Sequence, residues 1–119
     1  MRAFLDSRGH AYVKLQASAI KDDISLNLLV DTGFSGGLSL PSGLKQKFNF
    51  PPISRATWEL ADDSEVELDV YLGKIKTQKG REEEIAVVFN ESREGLAGIE
   101  FLRGKRFVLD LRELRVELA

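Results

Sequence analysis

The chain has 119 residues, 43% apolar and 30% charged with a net charge of −2, which suits one globular domain, 1–119, and leaves no basic footprint for nucleic acid. Cysteine is absent, which excludes disulfides, a thiolate nucleophile and cysteine metal sites and suits a reducing compartment. Met1 to Asp6 holds no apolar run of signal-peptide length and nothing approaches a membrane span, so a cytoplasmic protein without a membrane partner is expected.

In chain order, Met1 to Gly9 reads as a lead-in with a loop at Ser7-Arg8-Gly9, and the single histidine, His10, reads as exposed. Ala11 to Ala17 alternates Val13, Leu15 and Ala17 against Tyr12, Lys14 and Gln16, the pattern of a half-buried strand. Lys21-Asp22-Asp23 turns the chain into a second strand that ends at Asp31, making a hairpin. Leu38 to Leu40 is a short strand. Pro41 and Ser42 open a short helix with Leu44 and Phe48 on one side, and Asn49 to Pro52 stops it. Ala56 to Leu60 and Val66 to Leu72 read as paired strands joined by Ala61-Asp62-Asp63-Ser64-Glu65.

Further on, Ile75 and Thr77 suggest another strand, Lys79-Gly80-Arg81 a turn, and Arg81 to Glu84 a solvated edge. Ile85 to Phe89 is a strongly apolar strand and Asn90 to Gly95 a loop. Phe107 to Leu111 and Leu114 to Leu118 close the chain as a hairpin. Many short strands at turn-punctuated spacing predict an all-β domain with one or two short helices.

The stretch from Leu26 to Pro41 carries the chemistry. Ile24, Leu26, Leu28 and Val30 share one strand face, and Asp31 follows on the opposite parity. A buried strand thus delivers a carboxylate to a tight loop, Asp31-Thr32-Gly33-Phe34-Ser35. Asp-Thr-Gly alone is a common turn composition. A two-residue hairpin turn would not be this long or carry Phe34 inside it. The string resembles the catalytic loop of retroviral-type (retropepsin-like) aspartic proteases, most closely that of their small prokaryotic relatives.

The resemblance extends to a second signature. Leu96-Ala97-Gly98 followed by Ile99-Glu100-Phe101-Leu102 resembles the family's late glycine and short helix, with Gly98 lying 65 positions after Gly33. Alone it would read as an ordinary loop-to-helix junction. The order of loop, hairpin and Leu-Ala-Gly is the stronger likeness, and it covers about residues 11 to 118. It implies a closed acid-protease β-barrel, with Leu60, Ala61, Asp62, Asp63 and Ser64 at a flap over the substrate and Gly98 packed beside the catalytic loop.

The implied chemistry is peptide-bond hydrolysis by water held between two carboxylates. One takes the water's proton, and the other, protonated, supports the carbonyl oxygen. Two such groups about 3 Å apart share one proton. The chain has one Asp-Thr-Gly, so the resemblance implies a homodimer that brings Asp31 against Asp31, with Thr32 bonding across the axis. Ser35 or the next loop amides would bond the carboxylate. No cofactor and no metal is expected; Asp62, Asp63 and Glu65 lack a metal-loop pattern.

Phe34 departs from the alanine or serine usual in the family. The flap tip has no glycine and is acidic, which disfavours acidic substrates. Trp58 reads either as core or dimer packing or as a substrate wall. The expected function is an aspartic endopeptidase acting on a peptide or protein substrate. The alternative is a non-catalytic dimeric peptide-binding module on the same fold.

Overall fold

The computed structural model describes residues 1–77 and 80–119, and its strands account for most of the fold. The alternation of residues 11–17 becomes β2 (Ala11–Ala17), which buries Ala11, Val13, Leu15 and Ala17 and exposes Lys14. Its antiparallel partner β3 (Ile24–Val30) buries Leu26 and Leu28, in register from Tyr12↔Leu29 to Ala17↔Ile24. The expected hairpin leading to Asp31 is therefore present.

Residues 2–5 are not a lead-in. They form β1 (Arg2–Leu5), paired with β2, and Phe4 stacks on Tyr12 with ring centroids 5.5 Å apart. A four-residue segment carries too little periodicity to announce itself, and the cross-strand aromatic pair supplies what the pattern does not. After the loop come β4 (Leu38–Pro41) and a 3-10 helix (Ser42–Lys47), which ends at the buried Phe48.

The central hairpin is longer than its apolar pattern suggests. β5 runs Pro52–Glu59 and β6 runs Glu65–Lys76, so Ile75 belongs to β6 and not to a separate strand. Gly73, inside the continuous strand, is a packing position: a Cβ there would lie 2.7 Å from Val87 and 3.3 Å from the Phe50 ring. The expected turn at 79–81 includes Lys79, which lies outside the described residues.

Glu82 and Glu84 are exposed, as expected of a solvated edge, and they begin β7 (Glu82–Asn90), which pairs with β6 from Glu82 and with β4 only from Val87. Glu82 and Glu84 stand opposite Lys76 and Lys74 in the register, cross-strand neighbours of opposite charge, and Glu83 meets Lys105 at 3.3 Å.

β8 (Leu96–Ala97), the helix α1 (Ile99–Leu102), and the hairpin of β9 (Phe107–Asp110) and β10 (Arg115–Leu118) complete the chain. Eight strands form one sheet in the order β1-β2-β3-β8-β4-β7-β6-β5. β2 also pairs with β6 through Gln16↔Lys76 and Ala17↔Ile75, which joins six strands into a ring of pairings. The core within it includes Val13, Leu15, Leu28, Leu38, Leu40, Ile75, Val87 and Phe101. The protein is an all-β domain with two short helices. No described helix is long and apolar enough to cross a membrane.

Candidate active site

The two-residue strand β8 sets the position of Asp31. It is parallel to β3 on one side (Val30↔Ala97) and antiparallel to β4 on the other (Leu38↔Ala97). The Asp31 amide donates to the Ala97 carbonyl at 2.9 Å, so the residue leaves β3 with its backbone held. The Phe34 amide donates to the Asp31 carbonyl at 3.1 Å and closes the turn. The Gly33 amide donates to Asp31 Oδ1 at 2.9 Å. A loop amide thus takes the role that the sequence left open between Ser35 and the backbone. Thr32 and Ser35 are exposed.

Gly98 packs behind this loop as expected. Its amide donates to the Gly37 carbonyl at 2.8 Å, and the Ile99 amide donates to the Phe34 carbonyl at 2.8 Å. A Cβ on Gly98 would sit 2.3 Å from the Gly36 oxygen and 2.6 Å from the Phe34 oxygen, so only glycine fits the approach. Two neighbouring glycines have similar roles that sequence reading missed. A Cβ on Gly37 would lie 2.5 Å from the Ala86 carbonyl oxygen; one on Gly36 would strike the rings of Phe34 and Trp58 at 2.6 and 2.8 Å. The Gly36-Gly37 pair was the available signal, since adjacent glycines before a buried strand mark close backbone packing.

Asp31, Gly33, Phe34 and Ser35 line one side of an open cleft of about 1020 Å³, with Leu96. The other side is the end of the β5–β6 hairpin, from Ala56 through Trp58 and Glu59 to Leu60 and Ala61. The structure therefore brings the Asp-Thr-Gly loop, the first residues of the predicted flap and one residue of the second motif to one hollow. Thr32, Asp62, Asp63 and Ser64 do not line it, and Ala97 and Gly98 lie behind the loop. A smaller hollow of about 440 Å³ is formed by Ala19–Ile24 with Gln46 and Lys47. Of its two acids Asp23 is held by Lys76 at 2.5 Å, so the hollow offers little for catalysis.

Trp58 settles at the cleft and not in the core. Its ring lies 5.2 Å from that of Phe34, tilted by 49°. Its Nε1 is buried without a hydrogen-bond partner among the described residues, an uncommon and costly state for a donor.

At the hairpin tip the Leu60 amide donates to the Ser64 carbonyl at 2.8 Å and the Asp63 amide to the Leu60 carbonyl at 3.0 Å. Asp63 takes the left-handed conformation, φ 66°, that a glycine would otherwise supply. The Asp62 carboxylate accepts from the hydroxyl and the amide of Ser64, and these bonds hold it below its ordinary range.

A carboxyl so lowered stabilises the turn in its ionised form. That contribution is present above the ordinary carboxylate value of 3.8 and is lost as pH falls through the lowered one. The hydrogen-exchange protection factor of the Ser64 amide should therefore fall on acidification below about pH 4. In Asp62→Ala it should be low at every pH, and a pH-independent protection factor in the native protein would contradict this account.

Among the described residues no group of three or more histidines and acids is placed to hold a metal ion. No protein-family model, no curated protein and no solved structure matches the chain.

Proposed function

We propose that the chain is a retropepsin-like aspartic endopeptidase that acts as a homodimer. The observation that carries this reading is the single cleft shared by Asp31 and the end of the β5–β6 hairpin. A carboxylate on a loop fixed by amides stands across a hollow from a hairpin with a polar, exposed tip. Gly98, packed against Phe34 and Gly36, adds the second feature of that family's pattern.

One chain supplies one Asp-Thr-Gly carboxylate, that of Asp31, and the water mechanism needs two such groups face to face. Thr32 and Gly33 are exposed at the outer end of the loop, where a second copy can meet them. Leu109, Leu111 and Leu114, 42%, 59% and 69% exposed on the C-terminal hairpin, are apolar surface that a second copy would cover.

In the dimer, one Asp31 takes a proton from water as its oxygen attacks the peptide carbonyl carbon. The other, protonated, donates to the carbonyl oxygen. Collapse of the tetrahedral species breaks the C–N bond, with the proton passing to the leaving amine.

Specific activity should therefore rise with protein concentration and track the dimer fraction measured by sedimentation. Activity of a strict monomer, or no dimer at any concentration, would exclude the mechanism. A dimer that binds peptides without cutting them would make the chain a binding module on this fold.

A further inference from the structure

The cleft beside Asp31 has a lining that hydrolysis alone does not require. Its charged residues are Asp31 and Glu59, with no lysine or arginine among them. Phe34 from the loop side and Trp58 from the hairpin side meet at 5.2 Å and join the two sides in an aromatic wall, and aliphatic surface comes from Leu60 and Leu96. Glu59 stands directly opposite Glu65 across β5 and β6, a like-charged pair that costs stability in a sheet. Among the described residues neither glutamate forms an ion pair. The one cation of β5, Arg55, is taken by Asp69 at 3.1 Å and Glu67 at 3.7 Å.

Resting on the protease reading of this cleft, the geometry points to Glu59, with Trp58 and Phe34, as the group that sets specificity: the cleft selects a peptide segment carrying arginine or lysine. The alkyl stem of such a residue lies along the aromatic wall, and its cation reaches round the open edge of β5 to the Glu59 carboxylate, which stands on the strand face opposite Trp58. A neutral apolar residue uses the wall and leaves Glu59 unanswered. An acidic residue faces repulsion from both Glu59 and Asp31.

The test uses the full chain, as wild type and as Asp31→Asn, with three seven-residue peptides of alanine and leucine. They differ only at the central residue, which is arginine, glutamine or glutamate. Trp58 is the only tryptophan in the chain, so its fluorescence reports occupancy whether or not the peptide is cut. At low ionic strength the arginine peptide should bind about tenfold more tightly than the glutamine peptide, the combined size of an exposed ion pair and a cation–π contact.

Concentrated salt should shrink that ratio, and Glu59→Gln should reduce it to about twofold. Equal affinities, no binding of the arginine peptide, or a preference that survives Glu59→Gln overturns the assignment. Selective binding without cleavage sinks the hydrolytic reading and leaves this one standing; cleavage of all three peptides at equal efficiency does the reverse.

Discussion

Asp31→Asn should abolish hydrolysis of any peptide that the native protein cuts, with a loss of at least about a thousandfold. The amide side chain cannot act as the base that takes a proton from water. It keeps the shape of the carboxyl and an oxygen to accept the Gly33 amide bond, now 2.9 Å long. The thermal midpoint should accordingly stay within about 3 °C of the native value. Since an active unit would use Asp31 from two chains, excess Asp31→Asn chain should also suppress native activity by forming mixed dimers. Peptide hydrolysis followed by mass spectrometry reads both effects. Cleavage by the variant at a comparable rate would remove Asp31 from the chemistry, and native activity unaffected by excess variant would remove the partner's carboxyl.

Gly98→Ala should be the most damaging single methyl group in the chain. Its Cβ would meet the Gly36 oxygen at 2.3 Å and the Phe34 oxygen at 2.6 Å, both backbone atoms. Neither side can retreat cheaply. The Gly98, Ile99 and Glu100 amides donate to Gly37, Phe34 and Gly36 at 2.8, 2.8 and 3.0 Å, and separation strains all three bonds. A cost of roughly 3–5 kcal/mol is expected, or a fall of roughly 10–20 °C in thermal midpoint. Gly43→Ala is the control, since a Cβ there meets nothing within 4 Å. Equal midpoints for the two variants, read by calorimetry, would show that the loop and β8 do not approach as described.

The features legible in the sequence were those carried by local pattern. The alternation through Val13, Leu15 and Ala17 yields β2 with the right residues buried, and the apolar run closing at Asp31 yields β3 and its loop. Leu96-Ala97-Gly98 was found by its likeness in order and spacing, and Gly98 lies against Phe34 and Gly36.

What stayed hidden was set by tertiary partners. Phe34 meets Trp58 because loop and hairpin fold over one another, and no spacing along the chain announces it. β1 exists through its pairing with β2, and the packing of Gly73 against Val87, which lets β6 run on past Leu72, cannot be seen from neighbours in sequence. The acidic run at Glu82–Glu84 reads as solvated and is so, but the lysines facing it, Lys74 and Lys76, emerge only from the register of β6 and β7.

The way β8 holds Asp31 sets an order of assembly. The Leu29 and Asp31 amides find their acceptors at Gly95 and Ala97, so a long loop must close before the aspartate is seated. The β2–β3 and β5–β6 hairpins need only near neighbours and can form early; the long-range pairing is slower. A chain still emerging from the ribosome, with residues 95–97 unmade, has its β2–β3 and β5–β6 hairpins but no seated carboxylate. Asp31 is therefore seated only once residues 95–97 have been made and folded against β3.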